Sequence, residues 1–86
     1  MLTGVINLAA GEAFVVDTSG SERFSIIAGA GATVTYSRVD SKDADAHTTG
    51  TENQDTVAAT TIETIDTDWP FYRVSVAGGS CRIAAV

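Results

Sequence analysis

One histidine, His47, and one cysteine, Cys81, are the side chains of this sequence best suited to acid–base or nucleophilic work. A serine–histidine–aspartate triad needs its imidazole held in one tautomer and one orientation. His47 lies inside a polar run, where such precision is hard to hold, and no Gly-x-Ser-x-Gly elbow is present. It reads as a solvated loop histidine. Cys81 needs a neighbouring base or a helix N-terminus to become a thiolate; its register with Ile83 makes it a core residue instead. Glu12, Glu22, Glu52 and Glu63 supply carboxylates of the kind a glycosidase pairs, but none stands in a cleft-forming context. Asp40, Asp43 and Asp45 offer oxygens to calcium. Their spacing departs from the EF-hand loop, so the cluster reads as a solvated acidic loop or one ordered by a partner. No catalytic, cofactor-binding or metal-ligating residue is expected, and the chain reads as a non-enzyme.

The residues that remain are those that make contacts. Trp69-Pro70-Phe71-Tyr72 concentrates aromatic surface in one place, and tryptophan and tyrosine are over-represented at interface hot spots. Tyr72 is expected in the core. Trp69 and Phe71, together with Asp43, Asp45 and His47 of the acidic loop, are the candidate partner-binding residues; a plug for the thin core at the strand entry is the other reading of Trp69.

Charge narrows the partners. The net charge is −6, and the five basic residues Arg23, Arg38, Lys42, Arg73 and Arg82 are scattered. Nucleic-acid binding needs clustered cations that displace counterions, and anionic lipid repels an acidic surface; neither nucleic acid nor membrane is expected as a partner. No apolar run approaches the ~20 residues of a membrane span. The N-terminus lacks the basic and apolar regions of a secretory signal, and the single cysteine suits synthesis in a reducing cytoplasm. An apolar content of 44% is too high for a disordered chain.

These residues must be positioned by strands. Turn signals recur every eight to ten residues or so, the rhythm of a sandwich or barrel. Strands are expected over Thr3–Leu8, Ala13–Asp17, Arg23–Ala28 and Ala32–Val39, the last alternating cleanly with Val34 and Tyr36 on one face. Gly29-Ala30-Gly31 suggests a hairpin between the third and fourth. From Asp40 to Asp55 the pattern stops, a length that is uncommon for a connection in a compact domain. Thr56–Ile65 has some helical spacing, but its threonines and isoleucines favour a strand. Phe71–Ala77, Gly78-Gly79 and Ser80–Val86 read as a closing hairpin on a primed turn.

The expected fold is therefore one β domain over residues 1–86, a small antiparallel β-sandwich (or small barrel) of about seven short strands with one long polar loop. A domain of 86 residues has a thin core, and small scaffolds add a staple. With one cysteine and one histidine, neither a disulfide nor the usual zinc site can be built. Oligomerisation, or docking on a larger partner, is what remains.

The segment Asp68-Trp69-Pro70-Phe71-Tyr72-Arg73-Val74-Ser75-Val76-Ala77-Gly78-Gly79-Ser80-Cys81-Arg82-Ile83-Ala84 resembles the closing hairpin of small β-rich virion proteins of tailed bacteriophages. Ile6–Glu12 and the Gly31–Ser37 strand are similar in style, so the resemblance covers about half the chain and lies in texture: short Thr/Val/Gly/Ala strands with little lysine. It implies a capsid decoration (cement) protein located in the virion, with the major capsid protein or other virion proteins as partners, and a homo-oligomer, a trimer by preference. A tail or fibre component is the neighbouring implication. A small carbohydrate-binding β module is the alternative on fold analogy.

Overall fold

Period-two alternation of apolar and polar residues, rich in valine, isoleucine and threonine, gives this chain strands that bury one face each. The computed structural model describes residues 4–18, 23–47 and 54–85. Eight strands are found among them: β1 (Val5–Leu8), β2 (Ala13–Asp17), β3 (Arg23–Ala28), β4 (Thr33–Val39), β5 (Gln54–Val57), β6 (Ile62–Asp66), β7 (Phe71–Ala77) and β8 (Cys81–Ala85). The count exceeds seven because the segment 56–65 is divided. A turn over 58–61, with Thr60 at φ 59°, separates β5 from β6. The polar stretch also ends earlier than expected, since Gln54 and Asp55 already pair with Ser37 and Tyr36 of β4.

The strands form two four-stranded antiparallel sheets: sheet I in the order β1-β8-β3-β6 and sheet II in the order β2-β7-β4-β5. The architecture is a sandwich, not a barrel. Every connection except β4 to β5 crosses from one sheet to the other, which is jelly-roll connectivity.

Both expected hairpins are overturned by this topology. β3 pairs with β6 and β8, and β4 pairs with β5 and β7. β7 pairs with β2 and β4, and β8 with β1 and β3. The glycines that suggested tight hairpins instead let two sheet-crossing corners pack backbone to backbone. Gly29 donates its N–H to the Ser80 carbonyl at 2.9 Å. A Cβ on Gly78 would stand 2.7 Å from the Gly31 oxygen, and one on Gly79 would stand 2.7 Å from the Ala30 oxygen. The corners at 9–12 and 58–61 share this end, the latter through Thr60 N–H to the Gly29 carbonyl and Ala28 N–H to the Thr61 carbonyl.

Between the sheets lies a single apolar cluster that includes Leu8, Val16, Phe24, Ile26, Val34, Val57, Ile65, Val74 and Ile83. Cys81 belongs to it, as the alternation implies. Tyr72 also belongs to it and meets Phe24 edge to face at 5.7 Å between centroids. Each fully buried aliphatic side chain contributes about 1.5–3 kcal/mol relative to exposure. β1, β2, β5 and β6 are the edges.

Candidate functional site

The end of the sandwich opposite the sealed corners carries Thr18, the start of the polar loop at Asp40 and the connection 67–70, and Trp69 and Phe71 are held there. Trp69 is 40% exposed. It donates its indole N–H to the Val39 carbonyl at 2.9 Å. Phe71, half-buried, opens β7 directly across from Val39 on one side and Asp17 on the other. The polar loop leaves from the next residue, Asp40. Val39 thus joins the aromatic segment to the loop, two regions that are 30 residues apart along the chain at Trp69.

Below them the backbone of 67–70 is pinned. The buried Thr18 hydroxyl donates to the Trp69 and Pro70 carbonyls, and Thr18 N–H donates to Pro70 at 2.8 Å. Asp68 accepts the Tyr72 hydroxyl at 2.7 Å and, through both oxygens, the Arg38 guanidinium at 3.0 Å. The Tyr72 hydrogen bond, with Arg38 beside it, holds the Asp68 carboxyl below the usual range. These residues carry no obvious motif. The only signal for them in the sequence is the parity of β4 and β7, which sends Arg38 and Tyr72 to the same side.

The loop folds back over sheet II. Ser41 accepts the N–H of Ala44 on its carbonyl and the N–H of Asp43 on its hydroxyl. Lys42, Asp43 and Ala44 line a shallow cleft of about 310 Å³ with Ala13–Val15 and Arg73. Asp45 is exposed. His47 is half-buried, not a freely solvated loop residue as its setting in the sequence suggested. Its Nδ1 lies 2.7 Å from the Ser37 hydroxyl and its Nε2 2.6 Å from the Ser75 hydroxyl. Ser37 is buried in consequence, although it points away from the core.

A serine–histidine contact is the first element of a nucleophilic pair. In a triad the far ring nitrogen meets a carboxylate that stabilises the imidazolium. Here it meets a second hydroxyl, and burial followed by the Arg73 charge pushes the His47 pKa down. The ring is best placed to clamp the loop to β4 and β7. Burial likewise pushes the Cys81 thiol up, away from the thiolate. The carboxylates are dispersed: Glu12 caps its own corner through Ala9 N–H at 2.6 Å, Glu63 lies on β6, and Glu22 and Glu52 fall outside the described residues. Among the described residues no three His, Cys, Asp or Glu side chains are grouped to hold a metal.

One further opening lies on the side of the sandwich, between the edge strands β5 and β6. It has a volume of about 220 Å³ and is bordered by Asp55, Glu63, Tyr36 and Arg38. Burial first, then the charges of Glu63 and Asp55, push the Tyr36 pKa up to about 12.

Comparison with protein-family models, with curated proteins and with solved structures found no match for this chain.

Proposed function

We propose that this chain is a structural protein of a bacteriophage virion, a capsid decoration protein that is made in the host cytoplasm, docks on the assembled head and stabilises it. The observation that carries the reading is the exposed Trp69 beside half-buried Phe71 at one end of the sandwich, tied at Val39 to the root of a loop that runs from that end over the face of sheet II. A partly exposed tryptophan held by a backbone hydrogen bond is a pre-organised anchor, the kind of residue on which interface energy concentrates. The jelly roll adds an analogy only, since capsid proteins use this topology and so do lectins. The major capsid protein is the partner in this reading.

The test is sedimentation with heads of the encoding phage stripped of the protein. Saturable binding is expected, with raised resistance of the heads to heat, and Trp69→Ala should lower occupancy at least tenfold while the isolated protein keeps its β-sheet spectrum. Absence of wild-type binding removes the reading.

The exposure of Trp69 also favours a second reading, a carbohydrate-binding module that stacks a sugar ring on the indole face. Quenching or a shift of the single tryptophan's fluorescence across a glycan panel separates it from the first.

A further inference from the structure

The two outer faces of the sandwich are finished differently. Sheet II wears its own loop, clamped by His47. Sheet I has no such cover among the described residues, and it shows Val5 (52% exposed) and Ile62 (68% exposed) to solvent. Arg82 stands between them, in the cross-strand row Asn7–Arg82–Ile27–Ile62. Its one described partner is the Asn7 side-chain oxygen at 3.3 Å.

The adjoining side of the molecule has the opposite imbalance. Asp55 of β5 and Glu63 of β6, from opposite sheets, flank the opening floored by Tyr36, and Glu63 accepts the Tyr36 hydroxyl at 3.4 Å. Asp66 and Asp68 at the same opening have their cations, Arg23 and Arg38. Among the described residues no cation pairs with Asp55 or Glu63.

We propose that the bare face of sheet I is an interface between copies of this chain: it docks on the β5–β6 edge of the next copy, with Arg82 entering between Asp55 and Glu63. A guanidinium there gains charge-assisted hydrogen bonds to two carboxylates. Docking covers Ile62 and Val5, the two most exposed large aliphatic side chains described. Face-to-face pairing of two sheet I surfaces fits less well. It strands Asp55 and Glu63 outside the contact and, among the described residues, offers Arg82 only Asp66, already bonded to Arg23 at 2.6 Å. The two patches differ and lie on adjacent sides, so the contact is head-to-tail and generates a ring of more than two copies or an open chain.

This inference shares with the decoration reading only the premise that the chain works by docking, and it is tested without heads. Light scattering on the purified full chain should give a mass above that of a dimer, with Arg82→Glu and Glu63→Arg each weakening association at least tenfold. The double reversal, Arg82→Glu with Glu63→Arg, should restore it. Circular dichroism checks that each variant stays folded, and Ile62→Lys, on the same face, provides an independent disruption. A monomeric wild type at 100-micromolar-scale concentration overturns the proposal, as does an Arg82→Glu protein of unchanged mass. Head binding by a monomer removes this inference and leaves the decoration reading; assembly without head binding does the reverse.

Discussion

Trp69 and Val39 are tied by one hydrogen bond, indole N–H to main-chain carbonyl at 2.9 Å, and that bond sets the end of β4 against the connection between β6 and β7. The ring is thereby fixed with its polar edge satisfied and part of its face outward. Trp69→Phe keeps an aromatic ring and deletes the donor. The expected loss is about 0.5–1.5 kcal/mol, the net worth of an ordinary hydrogen bond. Urea unfolding measures it; an unchanged midpoint would show that the tie contributes nothing.

His47 makes the loop over sheet II sensitive to pH. Burial and Arg73 favour the neutral ring in the folded protein, so its pKa lies below the ordinary 6.5. Just beneath pH 6.5 the unfolded chain then binds more protons than the folded one. The stabilisation linked to His47 is whole above that pH and declines as pH falls through and below it. Amide exchange in residues 40–47 should quicken on going from pH 7.5 to pH 5.5, beyond the intrinsic pH effect, relative to β7. In His47→Gln that extra dependence should vanish.

How much of this was legible beforehand depends on the kind of information. Strand positions and inward faces were legible, because alternation such as Val34/Tyr36 or Val74/Val76 records which side of a strand meets apolar surroundings. Pairing was not. The same alternation suits any neighbour, and Gly78-Gly79 satisfies a primed hairpin turn as well as it satisfies a corner squeezed against Gly31. Turning 56–65 into two strands required knowing that 58–61 packs on Gly29, a contact between residues distant in sequence. The loop's importance was visible as a break in pattern, but the role of His47 was not, since Ser37 and Ser75 lie 10 and 28 residues away and look like any outward polar position.

The glycine corners can be tested by contrast. Gly11 and Gly78 both have positive φ, at 85° and 79°, yet a Cβ on Gly11 meets nothing within 4 Å while one on Gly78 meets the Gly31 oxygen at 2.7 Å. Alanine at either site incurs roughly 1–2 kcal/mol for the left-handed backbone. Only Gly78→Ala adds overpacking, about 1–3 kcal/mol more. Calorimetry on the two variants should separate them; equal melting temperatures would mean that the corners do not seal against each other.

Thr60 offers the opposite experiment, because there the sequence departs from what its corner requires. Its φ of 59° places a β-branched residue in the left-handed region. The matching position is glycine at Gly11 and Gly31, whose φ values are 85° and 75°. The Thr60 hydroxyl bonds only to the adjacent Ala59 carbonyl, at an exposed position, so little is lost with it. Thr60→Gly relieves about 1–2 kcal/mol of backbone strain and gives back roughly 0.5–1 kcal/mol through the freer unfolded chain. The net gain, about 0.5–1 kcal/mol, corresponds to a rise of roughly 2–8 °C in Tm for a domain of this size. Thr60→Ala keeps a Cβ at positive φ and should gain far less. A Thr60→Gly protein that melts at or below the wild-type temperature would show that the turn's strain is relieved elsewhere in the corner.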